Sequence, residues 1–166
     1  MDYRRQIPLS SFLNGAILPR IDDLPEVRAV YADTMRTLGK PSFEYSMMNA
    51  GHIAGMLYGL LVVPMKLYES PQDDSLLDAV KAERLSRLFD IVTCDSRFRA
   101  DPEGELLRHL RNSVSNVNFT ISEKNEFEFW DEDPISGSHD WEVRIDREAL
   151  LAVLSKLGHH FGQAPL

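Results

Sequence analysis

The alternation of apolar and polar residues is clearest between Leu106 and Phe119, where it follows the period of an α-helix. At about 100° per residue, one side of this helix gathers the apolar residues Leu106, Leu107, Leu110, Val114 and Val117. The opposite side is polar and carries Arg108, Asn112, Ser115 and Asn116, with His109 and Arg111 at its two edges. The pattern therefore predicts an amphipathic helix whose apolar side packs on a core.

The N-terminal part of the chain lacks such a period. Residues 1–24 contain two prolines and a glycine, so they predict an extended N-terminal arm. A helix is predicted to start at about Pro25, because Asp22 and Asp23 suit a helix start and proline suits the first helical position. Its apolar stripe ends before Gly39, which is a typical residue just beyond a helix.

The most apolar stretch runs from Tyr45 to Tyr68 and predicts a buried helix that Pro64 kinks or ends. Its unbroken apolar run falls short of the roughly 20 residues that cross a bilayer, so no membrane association is expected. Three glycines recur along it at Gly51, Gly55 and Gly59. This small-residue stripe predicts close approach by another helix, either within the bundle or from a second subunit. A further helix is predicted from about Leu76 to Thr93.

After Phe119 the period changes to that of half-exposed strands. Polar and apolar residues alternate in three segments, 119–122, 126–130 and 141–145. Lys124-Asn125 predicts a turn, and residues 131–140 predict a loop. The last helix is predicted to begin after Asp146 and to end at Gly158. The predicted fold is mainly α, a helical bundle with a small antiparallel β-sheet over residues 119–145 inserted before the last helix.

Length and composition predict a single domain over residues 1–166, because 43% of the residues are hydrophobic and can form a core. The chain has one cysteine, Cys94, which excludes an intrachain disulfide and favours a reducing compartment. No apolar run follows the arginines of the N-terminus, so a signal peptide is not expected. Together these features predict a cytoplasmic protein.

The net charge of −8 is unevenly distributed. Between Ser122 and Asp146, nine acidic and two basic residues give a net charge of −7, which leaves 16 basic and 17 acidic residues elsewhere. This distribution does not favour a tight, general binder of duplex nucleic acid. The acids lack the spacing of a calcium loop, and the chain contains neither a phosphate-binding glycine loop nor an HExxH helix. Neither a metal nor a cofactor is therefore expected.

The polar side of the Leu106–Phe119 helix is the candidate functional site. Asparagine and serine are mediocre residues in a helix interior, because their side chains compete for backbone hydrogen bonds. The alternative is a polar face that is simply solvated.

The segment Arg111-Asn112-Ser113-Val114-Ser115-Asn116 resembles the signature helix of HEPN-domain proteins. In that pattern an arginine is followed directly by a polar residue and, a few positions later, by a histidine. Arg111 and Asn112 match the first two positions, whereas Asn116 stands at the position of the histidine. The predicted strands between this helix and the last helix also resemble a HEPN subgroup with a β-hairpin insert, and the resemblance covers about residues 45–160.

The resemblance implies a bundle that dimerises so that two signature helices meet, and in active members the arginine and histidine cleave RNA without a metal. A base removes the proton of the ribose 2′-hydroxyl, which attacks the phosphodiester, and arginine stabilises the developing charge. Asn116 cannot exchange a proton near neutral pH. His109 is a candidate substitute at about 20° from Asn116 around the helix, although it lies roughly 10 Å away along the axis.

Three hypotheses follow, with Arg111, Asn112, Asn116 and His109 as candidate site residues. The first is an RNA-directed protein of a defence or toxin–antitoxin type, whose metal-independent endoribonuclease activity is impaired or altered. The second is a non-catalytic dimeric module that binds RNA, a nucleotide or a protein partner through the same helix face. The third is a structural immunity or regulatory protein in which Arg111 and Asn112 hold a homodimer together.

Overall fold

The computed structural model describes residues 3–43, 45–47, 49–63, 75–122, 126–133 and 135–163. The helices in these ranges are α1 (Tyr3–Asp22), α2 (Pro25–Thr37), α3 (Ala50–Leu57), α4 (Ser75–Glu83), α5 (Ser96–Ala100), α6 (Pro102–Asn116) and α7 (Arg147–Gln163). The strands are β1 (Asp90–Thr93), β2 (Phe119–Ile121), β3 (Glu126–Glu132) and β4 (His139–Asp146). The predictions that concern Pro64 and the Lys124-Asn125 turn lie outside the described residues.

The four strands form one antiparallel sheet in the order β1-β4-β3-β2. Alternate residues of the two central strands are buried against the helices: Phe127, Phe129 and Asp131 of β3, and Trp141, Val143 and Ile145 of β4. The prediction of a mainly α fold with a small antiparallel sheet before the last helix is confirmed. Among the described residues, no helix combines the length and the apolar character needed to cross a membrane.

The centre of the core lies where α6 packs against the continuation of α3. α3 runs directly into one turn of π-helix, Tyr58–Val62, in which Leu60 and Leu61 have no exposed surface. Gly59 in this turn lies against α1, where an added Cβ would come within 2.0 Å of the Oγ of Ser11. The close helix approach expected of the glycine stripe is therefore made within the chain at Gly59, while Gly55 faces open space.

The prediction of an extended arm over residues 1–24 is wrong, because Tyr3–Asp22 forms the helix α1 with Pro8 and Pro19 inside it. α1 packs along α7, and the ring of Phe12 lies directly against Gly158. Burial of apolar side chains in this contact offsets the roughly 3 kcal/mol that a proline costs in a helix interior. The composition of residues 1–24 gives no sign of this packing of α1 against α7.

The prediction of one helix from Leu76 to Thr93 is also wrong. α4 ends at Glu83, Arg84 adopts a left-handed backbone conformation (φ 50°), and a short 3₁₀ turn leads into β1. The end of the segment is rich in β-branched residues, which favour a strand once a partner is present. That partner is the free edge of β4, where Ile91 is paired with Val143.

The helix α2 begins at Pro25 and ends before Gly39, as predicted. Its apolar stripe is not buried, because Val30 and Leu38 keep 62% and 63% of their surface exposed. The residue at its N-cap is Leu24, not an aspartate.

Asp22 ties three segments together instead of capping α2. Its buried carboxylate accepts hydrogen bonds from Tyr31 in α2 and from Ser46 and the backbone N–H of Met47.

Candidate functional site

The helix α6 carries the candidate site, and its ends have specific caps. Asp101 accepts a hydrogen bond from the backbone N–H of Gly104, and Pro102 occupies the first turn. At the C-terminal end, the N–H of Asn118 donates to the carbonyl of Ser113 at 2.8 Å, and Val117 adopts a left-handed conformation (φ 61°). This is the hydrogen-bond pattern of a Schellman motif, with valine at the position that usually holds glycine.

The burial of α6 confirms most of the predicted apolar side. Leu106, Leu107, Leu110 and Val114 are buried, as the helical period predicts. Val117 is not part of that side, because it lies beyond the helix end and is 71% exposed. The buried surface also includes two polar residues, His109 and Ser113, because the sheet covers the flank of the helix on which they lie. The hydroxyl of Ser113 lies 2.7 Å from the carbonyl of Trp130 in β3.

His109 is enclosed, with 2% of its surface exposed, and both of its ring nitrogens have partners. Nδ1 lies 2.8 Å from the carboxylate of Asp131, and Nε2 lies 2.8 Å from a guanidinium nitrogen of Arg108. Because arginine only donates hydrogen bonds, the contact with Arg108 assigns Nε2 as the acceptor and Nδ1 as the donor to Asp131. The ring also stacks on Trp141 at 4.9 Å between centroids.

Asp131 is the centre of this network, although the sequence-based prediction placed it in a loop. The same carboxylate oxygen accepts from His109 and, at 3.0 Å, from the amide of Asn112. Burial raises the pKa of Asp131, but the hydrogen bonds from His109 and Asn112, together with the electrostatic contributions of His109 and Arg108, outweigh it, so the pKa is lowered from 3.8. One signal in the sequence could have located Asp131, since it continues the inward alternation of Phe127 and Phe129 in β3.

Asn112 links Asp131 to Arg111. While its amide nitrogen donates to Asp131, its oxygen accepts two hydrogen bonds from the guanidinium of Arg111, at 3.0 and 3.3 Å. The orientation of the amide is therefore set at both ends, and the Arg111 guanidinium is held against the half-buried side of α6. The neighbouring Arg108 is paired with Glu105 one turn earlier, at 2.7 Å.

Three of the four candidate residues, Arg111, Asn112 and His109, thus belong to one hydrogen-bonded network, and Asp131 is its centre. Asn116 is the last residue of α6, is exposed, and is not part of the hydrogen-bonded network among the described residues.

The sequence profile of the HEPN pEK499 p136 family matches residues 5–161. The chain belongs to this HEPN family. Neither the comparison with curated proteins nor that with solved structures returned a match.

The structure shows where the residues that match the HEPN signature helix lie on α6. Arg111 and Asn112 lie on the side of α6 that the core does not cover, whereas His109 lies behind them against Trp141. The ring of His109 is therefore positioned to orient Asp131 and Arg108, not to meet a molecule on the open face. In the part of the chain that the structure describes, no three histidine, cysteine or acidic side chains are grouped to hold a metal ion.

Proposed function

We propose that this HEPN protein acts on RNA, with Arg111 as the residue that contacts a phosphodiester. The observation that supports this role is the chain of hydrogen bonds from Asp131 through Asn112 to Arg111. A guanidinium held in one orientation loses little conformational entropy when it binds a phosphate, and its planar donors suit phosphate oxygens. Asn112 and Asp131 are positioning residues in this proposal.

The same geometry supports weak or absent cleavage. Attack by the ribose 2′-hydroxyl needs a group that accepts its proton, and such a group contributes typically 10²- to 10⁴-fold to the rate. Asn116, at the position of the family histidine, cannot do this, and His109 has both nitrogens engaged inside the protein. The proposed activity is therefore that of a degenerate, metal-independent endoribonuclease.

The proposal includes a homodimer in which the α6 helices of two copies face each other across one RNA-binding groove. Its support is the uncovered polar side of α6, on which Arg111, Asn112 and Ser115 are only half-buried. We propose that this dimer acts in the cytoplasm, in defence or as part of a toxin–antitoxin pair. Its partner there would be a protein antitoxin or regulator.

The test of this proposal is RNA cleavage and binding by the purified protein in EDTA. We expect slow cleavage or none, together with RNA binding that Arg111→Ala weakens. The matched control is Arg36→Ala, which removes an exposed arginine of α2 that is paired with Asp33 of the same helix. If Arg111→Ala and Arg36→Ala bind RNA as well as the unaltered protein does, Arg111 has no role in RNA binding.

The second variant restores the missing group. Asn116→His places a titratable side chain one turn beyond Asn112 on α6, and we expect cleavage to increase at least about tenfold if the rest of the site is competent. The double variant Asn116→His with Arg111→Ala should lose that gain, because the charge on the phosphoryl oxygens is then unsupported. Light scattering coupled to size-exclusion chromatography measures the dimer, and a strict monomer contradicts the two-helix groove.

A second candidate function is a non-catalytic dimeric module that uses the same face for RNA, a nucleotide or a protein partner. The specific observation that favours it is the enclosure of His109, whose two ring nitrogens are both engaged inside the protein and do not reach the open face of α6. Stable RNA binding without cleavage, in both the unaltered protein and Asn116→His, distinguishes this function from the first.

A further inference from the structure

Four arginines are concentrated in a short part of this acidic chain. Arg84, Arg87, Arg97 and Arg99 are all exposed, and among the described residues none of them lies within 4.0 Å of a carboxylate. By contrast, the structure pairs Arg28, Arg36, Arg108 and Arg144 with acidic side chains. We call these four residues the arginine surface; Arg99 also contacts the thiol of Cys94, which is not a carboxylate.

The backbone brings the two halves of the arginine surface to the same end of α6. Glu103, in the first turn of α6, accepts hydrogen bonds from both the hydroxyl and the backbone N–H of Ser86, which lies between Arg84 and Arg87. The carbonyl of Arg97 accepts from the N–H of Asp101, the residue that caps α6. Segments separated by about ten residues in the sequence are therefore anchored to one helical turn.

Two of the acids near these arginines are used for other contacts. Asp95 caps α5 by accepting from the N–H of Phe98 at 2.8 Å, and Glu83 is paired with Lys156 of α7. From Arg84 to Arg99, four arginines and two aspartates give a net charge of +2 in a chain whose net charge is −8. The local excess of positive charge remains available to an anionic partner.

The arginine surface adjoins the candidate site. The buried ring of Phe98, between Arg97 and Arg99, lies 6.3 Å from the ring of His109 and 6.0 Å from that of Trp141. Arg111 is eight residues beyond Glu103 on the same helix, which corresponds to about 12 Å along the axis. A few nucleotides of an extended strand span such a distance.

We propose that the arginine surface binds the phosphate backbone of single-stranded RNA and leads the strand to Arg111. This inference rests on the proposed function and adds the path of the substrate. Single-stranded RNA fits better than a duplex, because four arginines beside a strongly acidic hairpin do not form the broad basic face that a duplex needs. Arginine contacts to phosphates give affinity without sequence preference.

The test compares two double variants that remove the same charge from different places. Arg87→Gln with Arg97→Gln alters the arginine surface, and Arg20→Gln with Lys40→Gln removes two exposed cations elsewhere in the chain. Binding of fluorescently labelled oligouridine is measured by anisotropy between about 50 and 200 mM salt. We expect the first double variant to bind about tenfold more weakly at low salt, and its plot of log affinity against log salt to be shallower by about 1.4.

The outcomes separate this inference from the proposed function. If both double variants lose the same affinity, or if neither loses any, the arginine surface has no specific role, whereas the effect of Arg111→Ala still tests the proposed function. If Arg87→Gln with Arg97→Gln binds weakly and Arg111→Ala binds normally, the RNA-binding role of the arginine surface is supported and that of Arg111 is refuted. If the unaltered protein binds no oligouridine, both proposals are overturned. Thermal unfolding of each variant, expected to be unchanged because all four side chains are exposed, checks that folding is intact.

Discussion

Replacement of Asp131 tests whether its carboxylate holds the sheet and α6 together. One carboxylate oxygen accepts from His109 at 2.8 Å and from Asn112 at 3.0 Å, and both donors are at least half-buried. Two substitutions separate the roles of geometry and charge. Asp131→Asn keeps an oxygen that can accept both hydrogen bonds, whereas Asp131→Leu has a similar size and removes the acceptor.

The expected magnitudes follow from the two hydrogen bonds. A hydrogen bond to a charged group contributes about 1.5–3 kcal/mol, and a buried donor left without an acceptor costs about 1–3 kcal/mol. Asp131→Leu leaves two donors unsatisfied, so we expect it to lower the free energy of unfolding by about 4 kcal/mol. Asp131→Asn loses only the contribution of the charge, for which we expect about 1–2 kcal/mol. Both losses are large beside the roughly 5–15 kcal/mol that stabilise a typical domain.

The lowered pKa of Asp131 determines how its contribution to the free energy of unfolding changes with pH. The pKa of Asp131 is lower in the folded protein than its ordinary value of 3.8, so ionised Asp131 stabilises the fold above that value. This contribution is lost as the pH falls below 3.8 and through the pKa of the folded state. The stability difference between the unaltered protein and Asp131→Asn should therefore be constant near neutral pH and shrink in acid.

The assay is urea unfolding followed by tryptophan fluorescence at neutral pH and near pH 3, with the slope m checked for a common unfolded state. Asp140→Asn is the matched control, because it neutralises an exposed aspartate of the same hairpin and should change stability by less than about 0.5 kcal/mol. Asp131→Leu within 0.5 kcal/mol of the unaltered protein would refute the anchoring role. A difference for Asp131→Asn that does not change between neutral and acid pH would refute the lowered pKa of Asp131 in the folded protein.

Three further substitutions test the packing and the helix ends by the same unfolding assay. Val117→Gly should stabilise the protein by about 1 kcal/mol, because a left-handed conformation strains a β-branched residue but not glycine, and a loss of stability would contradict this. Gly158→Ala should destabilise by about 1–3 kcal/mol despite the higher helix propensity of alanine, since its Cβ would overlap the ring of Phe12; Phe12→Ala in the same background should relieve part of that overlap. Lys156→Ala should cost less than about 1 kcal/mol, because its ion pair with Glu83 is about half exposed, and a larger loss would show that the pair is structurally important.

The sequence by itself determined the elements whose periodicity coincides with their burial. The four leucine and valine residues of α6 that are buried, the three strands after Phe119 and the start of α2 at Pro25 were all predictable, because local spacing places those side chains on one face. The signature residues Arg111 and Asn112 were also recognisable, since they are adjacent on one helix.

Only the tertiary structure decided the features that depend on contacts between distant segments. α1 is helical because it packs on α7, and β1 is a strand because β4 offers a free edge, and neither partner is visible in local composition. Asp131 joins the site because a sheet residue and a helix residue meet across 22 positions of sequence. The physical reason is that hydrogen bonding and burial depend on which groups meet in space. Periodicity shows only which residues of one helix or strand lie on the same face.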